Sequence, residues 1–345
     1  MTSDSIEAVT WNVQGEIGIS DDRMQAQLDF LREHASTTDI IMFQSVNYEP
    51  QNDDEWGGQL GSLLNYFERD EQDYYHVHTA DWAHELSESE VQPQQAINAP
   101  HNRCNLTVSR WPIERTPLSL RSEGNWYPRK LTYYTTHFPE NLLVSEIDLN
   151  DIDSFSSDSL DTWNVGVING ANWHEEKIKM LETIYGRLYL QNKRTDQEVV
   201  LGGDFNAPKQ EDRDTVTPHG SGTPEYTHYP FYGEPYYFGE SVEETDEFTF
   251  TDRWQRAESN VFDPRIGQWD MRDAYWIAED SQKKASSEDH THDIPGGARK
   301  RLDHILVSDH FDVNQCEVWN GQETAINGFD VSDHAPVVAE LNYTE

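Results

Sequence analysis

The segment "GGDFNAP", residues 202–208, places Asp204 one residue away from Asn206. On an extended backbone such a pair points to the same side. The carboxylate can then orient a water while the amide holds an anionic oxygen. Gly202 and Gly203 let another backbone or a substrate come close. A blander reading competes: Asp and Asn at a strand end readily make Asx-turns.

The segment "SDHAPV" places Asp333 beside His334, just ahead of an apolar run. A hard cation wants carboxylate oxygen, which Asp333 can supply. His334 can hydrogen-bond a phosphoryl oxygen, and a carboxylate partner would keep it oriented and protonated. Asp303, closing the basic run "ARKRLD", is a candidate for that partner. Taken alone, a His beside an Asp is more often a surface pair. Asn12 and Gln44 end two further apolar runs. Polar residues of these types at five strand ends are hard to obtain from turn chemistry alone. No Ser nucleophile elbow, P-loop or dinucleotide fingerprint competes with them.

The elements that must position these residues alternate between strand and helix patterns. Strands are expected at residues 6–13, 39–44, 74–79, 103–113, 130–137, 141–149, 162–170, 198–206, 301–308 and 335–341. Helices are expected at 21–35, 56–70 and 173–193. In the last of these, Ile178, Leu181, Ile184, Tyr185 and Leu188 recur at helical spacing. Residues 81–102 are polar and loop-like. Residues 207–270 form a long irregular stretch rich in Tyr, Gly, Pro and Thr, of the kind that serves as a lid or insertion. The order of elements implies an α/β fold. No internal repeat or Gly/Ser linker divides the chain, so residues 1–345 are expected to form one domain with a loop-rich insertion at about 207–270.

Composition sets the surface apart. There are 64 Asp and Glu against 25 Lys and Arg, a net charge of −39. The acids are spread through the chain rather than gathered in one tail. Such self-repulsion destabilises a compact state unless salt screens it. At ~1 M salt the Debye length shrinks to ~3 Å. The charge therefore implies a cytoplasm rich in salt, as in a halophile. An acidic surface for a basic partner is the rival reading, and it would cluster the acids on one segment. Aromatic residues make up 12% of the chain, which argues against disorder. The two cysteines, Cys104 and Cys316, show no metal-ligand spacing and fit a reducing compartment. The N-terminal residues do not read as a signal peptide, and no apolar run approaches a membrane span. A monomer with no evident protein partner is expected.

At these residues a family resemblance emerges. "TWNVQG", "DIIMFQ", "GGDFNAP", "RLDHILVS" and "SDHAPV" resemble the signature blocks of the endonuclease/exonuclease/phosphatase superfamily, in its order. "VGVING" and "SDHAPV" look most like the exonuclease III type of apurinic/apyrimidinic endonuclease. The likeness covers roughly residues 6–342, though the loops between blocks are not comparable. It implies a four-layer αββα sandwich of two mixed β-sheets, DNase I-like, with the active site at one end. It also implies hydrolysis of a phosphoester with Mg2+ or Mn2+. By position, Asp204 would activate the attacking water and Asn206 would hold the phosphate. His334, oriented by Asp303, would stabilise charge on the phosphoryl group, and Asn12 and Asp333 would sit in the metal site.

Two positions depart from the family pattern. A Glu that serves as the main metal ligand is expected after Gln44, and Ser45 stands there. A neutral hydroxyl is a poor substitute for a carboxylate on Mg2+. A Tyr or His is expected two residues after Asn169, and Ala171 stands there. Glu49 and Glu16 are candidate replacement carboxylates, and His174 is a candidate for the lost phosphate contact. For each of the three, a solvated side chain is the competing reading.

Nucleic acid is the expected substrate. The segment "YTHYPFYGEPYYFG", residues 226–239, is dense in rings on which bases can stack, as are Trp126 and Tyr127. A loop pinned by its own aromatic side chains is the alternative. Basic residues are few: "KK" at 283–284, and Arg299, Lys300 and Arg301. A nuclease would carry the latter three on the rim of an open groove, with Arg301 contacting substrate. A small-molecule phosphatase would roof a narrow pocket with residues 207–270. A non-catalytic binding protein would show Ser45 lining the site with no carboxylate filling the gap.

Overall fold

The computed structural model describes residues 5–15, 19–52, 55–70, 74–81, 102–116, 136, 138–150, 157–168, 174–207, 211–212, 225–226, 250–262, 269–278, 289–293, 299–322 and 324–344. The chain opens with β1 (Ser5–Asn12), α1 (Asp21–His34), β2 (Ile40–Asn47), β3 (Glu49–Asn52), β4 (Glu55–Gly57), α2 (Gly58–Asn65) and β5 (Tyr75–His78). It continues through β6 (Arg103–Ser109), β7 (Ile113–Arg115), β8 (Leu142–Asp148), β9 (Ser159–Gly166), α3 (His174–Asn192) and β10 (Val199–Asp204). Two short strands, β11 (Glu211–Asp212) and β12 (Glu225–Tyr226), precede α4 (Phe250–Phe262). The last part holds β13 (Arg272–Asp273), α5 (Ala274–Ile277), β14 (Asp303–Val307), β15 (Phe311–Val318) and β16 (Val337–Tyr343).

Twelve of these strands make two sheets of six. One runs β15-β16-β1-β2-β6-β5 and the other β13-β14-β10-β9-β8-β7. Each is mixed, with one parallel pair: β1 with β2, and β9 with β10. The alternation of side chains explains the layering. Ile6, Ala8, Ile40 and Met42 face Val200, Ile305 and Val307 in a core between the sheets. On the outer side of the first sheet, Val9, Trp11, Ile41 and Phe43 pack on Phe30 and Leu31 of α1 and Leu60 and Leu63 of α2. On the outer side of the second, Trp163, Val199 and Leu201 pack on Ile178, Leu181, Ile184 and Leu188 of α3 and on Ala257 and Val261 of α4. The result is four layers, helix–sheet–sheet–helix, as the resemblance implies.

Helix ends follow local chemistry. Ser20 caps α1 by accepting from the Arg23 amide, and Asp21 and Asp22 lie in the first turn where the helix dipole favours acids. The second helix starts at Gly58, later than the sequence pattern suggests, because Trp56 is drawn into β4 and Gly58 has φ +68°. It then loosens into a π-helical turn at Tyr66–Asp70.

Three local expectations change. The stretch 207–270 is not wholly irregular: α4 lies inside it, because Ala257, Val261 and Phe262 bury one helical face against α3 and Phe205. Arg253 of α4 also forks onto Glu182 of α3 at 2.8 and 2.7 Å. Strand β15 was absent from the expected elements, although "FDVNQCEV" buries Phe311, Val313, Cys316 and Val318. A register shift at Val313/Gln315 breaks its strict alternation and masks the signal. The run 103–113 is two strands, not one, parted at residues 110–112. All of the expected strand 130–137 except Thr136, together with Trp126, Tyr127, residues 283–284 and nearly all of 226–239, lies outside the described residues. Among the described residues no helix is long and apolar enough to cross a membrane.

Candidate active site

Four strand ends of the two sheets meet at one seam. Asn12 closes β1 and Asp204 closes β10. Asp303 opens β14, directly opposite Asp204 in the antiparallel register. His334 lies three residues ahead of β16. Two side-chain bonds stitch the sheets together here. Asn12 Nδ2 donates to Asp204 Oδ2 at 2.9 Å, and His334 Nδ1 lies 2.8 Å from Asp303 Oδ2. The backbone of His334 is anchored separately, since buried Trp11 donates its indole N–H to the His334 carbonyl at 3.0 Å. Ser332 Oγ donates to the Asn12 carbonyl at 2.9 Å.

The electrostatics follow from this packing. Burial alone would push the His334 imidazole down. The carboxylates of Asp303 and Asp204 outweigh it and raise the pKa to about 9. His334 is therefore a cation at neutral pH. With Nδ1 turned to Asp303, no bond from the described residues uses its Nε2. Asp204 is raised above the usual carboxylate range, first by burial and then by the Asp303 charge. The His334 cation and the hydrogen bonds from Asn206 and Asn12 oppose that rise.

Asn206 departs from the extended geometry expected for Asp204-x-Asn206. Its φ is +50°, a left-handed conformation that Asn tolerates. The chain folds back, so that Asn206 N donates to Asp204 Oδ1 at 2.7 Å. The Asn206 amide donates to Val167 O at 2.7 Å and to Asp204 Oδ2 at 3.0 Å. The Asx-turn and the gathering of functional groups are thus both present. Beneath the turn, the buried Lys177 ammonium donates to the Asn206 carbonyl.

Among the described residues three groups of side chains have the donor chemistry for a divalent cation; two share His334 at this seam, and the third, Asp270, Asp309 and His310, does not include it. At the seam, Asp204, Asp303 and His334 form one, and His292, Asp333 and His334 the other; in each, one ligand atom per residue lies within 4.8 Å of the rest. Asp333 fits a metal: its Oδ1 is buried and accepts no hydrogen bond. A free carboxylate oxygen in that state is costly unless a cation or water meets it. Asp303 Oδ1 is likewise unpartnered.

Several expected site residues take other places. Asn12 bonds Asp204 and, through Oδ1, accepts from the Gln14 amide at 3.0 Å, rather than joining Asp333. Glu49 joins neither group; it pairs with Gly57 in the β3–β4 hairpin, which carries it to an exposed position. Arg301 is not on a rim. It is 1% exposed, its guanidinium lies 2.9 Å from Asp273 Oδ2, and it packs over the Tyr275 ring at 4.3 Å. The "RKR" run hides one buried Arg, and only Arg299 of the three is exposed. His174 begins α3, but its side chain, together with Glu16 and Ala171, lies outside the described residues.

Ser45 sits at a bulge where the β2–β6 register shifts between Phe43 and Val46. Its φ is +55°, and its carbonyl accepts from Gly15 N at 2.6 Å. A Cβ on Gly15 would lie 2.2 Å from that carbonyl oxygen, so the approach needs glycine. Gln44 is fully buried and donates to Asn164 Oδ1 at 2.9 Å on the opposite sheet. It is a bond between sheets rather than an exposed end group.

Sequence reasoning missed His292, Lys177 and the trio Asp273–Arg301–His304. "DHTHD" at residues 289–293 was the available signal for the first, since it gathers two His and two Asp, residue types that can ligate a metal. The trio had no local signal, because Asp273 and His304 meet at 2.9 Å only through the pairing of β13 with β14.

Comparison with known proteins agrees with the architecture. No curated protein matches the sequence. A crystal structure of humanized D. rerio TDP2 carrying 14 mutations superposes with a TM-score of 0.53 at 15% identity, covering 99% of this chain and 100% of that one. An endonuclease/exonuclease/phosphatase family protein from Leptotrichia buccalis gives 0.53 at 15% identity, covering 98% and 100%. The human Nocturnin catalytic domain with bound sulfate anion gives 0.50 at 13%, covering 99% and 94%. These likenesses speak for the fold. The sequence itself matches the Endonuclease/Exonuclease/phosphatase family over residues 9–334, and the chain belongs to that family.

Proposed function

We propose that the chain is a divalent-metal-dependent phosphodiesterase that hydrolyses nucleic acid. The observation that carries this reading is the buried Asp303–His334 pair set beside Asp204 at the seam of the two sheets. Asp204 is held by three N–H donors, which aim its carboxylate, while burial and the Asp303 charge raise its pKa above the usual carboxylate range and suit it to take a proton from an attacking water. His334 donates from Nε2 to a phosphoryl oxygen, and its positive charge offsets the charge that builds up during attack. Asp303 fixes the ring and keeps it protonated. Asp333 would hold the divalent cation, which when bound neutralises phosphoryl oxygens and orients the ester for in-line displacement. Asn206 supplies an amide that can turn from Val167 O toward the phosphate.

Nucleic acid is favoured over a small phosphorylated molecule by the ring-dense segment 226–239, which suits base stacking. The charge of −39 opposes a polyanion at low salt and much less at molar salt, so the working medium in this reading is a salt-rich cytoplasm. A second reading, a binding protein without turnover, has one observation in its favour. Ser45 brings no carboxylate to the site, and Glu49 is exposed and joins neither ligand group there.

The test is turnover of abasic, nicked and single-stranded DNA and of a generic phosphodiester, in high salt with Mg2+ or Mn2+. Cleavage that disappears in Asp204→Ala supports the hydrolase. Equal turnover by the variant removes Asp204 from the reaction. Silence on every substrate and metal favours the binding protein.

A further inference from the structure

Ser45 leaves the metal site short of one carboxylate, and the structure holds an unassigned donor near Asp333. His292 lies in the segment 289–293, whose backbone is tied to the site at several points. Thr291 Oγ accepts from Leu302 N and Asp303 N at 2.8 and 3.0 Å. Asp293 N donates to the Asp333 carbonyl at 3.4 Å, and Ala335 N to the Thr291 carbonyl at 2.8 Å. An isolated β-bridge joins His292 to His334. The His292 ring is thereby held with its centroid 4.5 Å from that of His334. It also falls within the 4.8 Å group that includes Asp333. Both His292 and Asp333 are half-buried, so neither is sealed in the core.

We infer that His292 and Asp333 together ligate the divalent cation, and that the imidazole makes the site prefer Mn2+ or Zn2+ over Mg2+. Two observations converge on it. Asp333 Oδ1 is a buried oxygen without a partner, which marks one ligand position. His292 supplies a ring nitrogen within 4.8 Å of an Asp333 carboxylate oxygen. Ligand softness then sets the preference: imidazole binds borderline metals well, whereas Mg2+ keeps oxygen and water around it. His334 stays on Asp303 and keeps its Nε2 for the phosphoryl oxygen. The inference rests on the hydrolase reading for the place of the ion, but not for the binding itself.

The experiment is metal titration of the full chain by calorimetry in about 2 M KCl, where surface carboxylates are screened. It compares wild type, His292→Phe and Asp333→Asn, with Mg2+, Mn2+ and Zn2+ as probes. Bound Mn2+ is also read by electron spin-echo modulation from a ligand nitrogen. The expected result is tighter binding of Mn2+ and Zn2+ than of Mg2+, by about ten-fold or more in wild type. His292→Phe, which keeps a ring against His334, should lose that margin and the nitrogen modulation, with Mg2+ binding little changed. Asp333→Asn should weaken all three metals. Unaltered Mn2+ affinity or persistent nitrogen modulation in His292→Phe overturns the assignment, as does the absence of saturable metal binding in wild type. Turnover measured on the same samples separates the two claims. Hydrolysis with metal binding independent of His292 leaves the hydrolase standing and removes the ligand. Binding that depends on His292 without hydrolysis of any substrate does the reverse.

Discussion

Replacing Asp303 with Asn keeps the shape of the pair with His334 and removes its charge. In the intact protein that charge, with Asp204 behind it, raises the His334 imidazole from 6.5 to about 9 against the opposing effect of burial. The rise of roughly 2.5 units corresponds to ~3 kcal/mol in favour of the charged ring, at 1.36 kcal/mol per unit. Without Asp303, the pKa should move back toward 6.5. At about pH 8 the imidazolium would fall from roughly nine-tenths of the molecules to a few per cent. Turnover that depends on that cation should drop about 30-fold by this cause alone, and the deficit should narrow toward pH 6. The assay is the NMR titration of the His334 Cε1 proton, read beside the pH dependence of kcat. The linkage has a definite sign. A raised pKa gives stability that is fully present below 6.5 and is lost as pH rises through about 9. The wild-type melting temperature should therefore decline over that window, and the decline should flatten in Asp303→Asn. A His334 midpoint that stays near 9 in the variant refutes the reasoning.

Other perturbations have equally definite outcomes. Arg301→Met should destabilise the protein by about 3–5 kcal/mol in denaturant titration, because it leaves Asp273 buried without its cation. A raised KM with unchanged stability would instead return Arg301 to the substrate surface. Gly203→Ala should cost at least about 1–3 kcal/mol, since the added Cβ lies 1.9 Å from the Val165 carbonyl and must force β9 and β10 apart; a neutral effect on melting would contradict that packing. Raising KCl from about 0.1 to about 1 M should raise the melting temperature, because the Debye length falls from ~10 to ~3 Å and the net charge of −39 is screened. A melting temperature indifferent to salt would remove the argument for salt adaptation.

Much of the frame was legible because it depends on short-range pattern. The apolar runs that end in Asn12 and Asp204 and the one that Asp303 opens are strands, and their polar ends do meet. Asp303 was a candidate partner for His334 and its orienting role was implied by the resemblance; in the structure His334 Nδ1 lies 2.8 Å from Asp303 Oδ2. What could not be read depends on pairing between distant strands or on burial. Arg301 sits in a basic run that looks like surface, yet β13 brings Asp273 beneath it and draws it inside. Glu49 is four residues from Ser45, but the β3–β4 hairpin turns it outward. The left-handed turn at Asn206 converts an apparent extended pair into an Asx-turn. His292 was missed, and its place beside Asp333 depends on the bridge to His334, a pairing between distant segments.

The most direct test of the catalytic account is single-turnover cleavage of a phosphodiester substrate by wild type and Asp204→Asn, in high salt with Mn2+. Asp204 is the buried acid that three N–H donors hold at the seam, and its conversion to an amide keeps size while removing the base. Cleavage by wild type, with a loss of about 100-fold or more in Asp204→Asn, is the predicted result. Equal rates in the two proteins, with both folded, would contradict it.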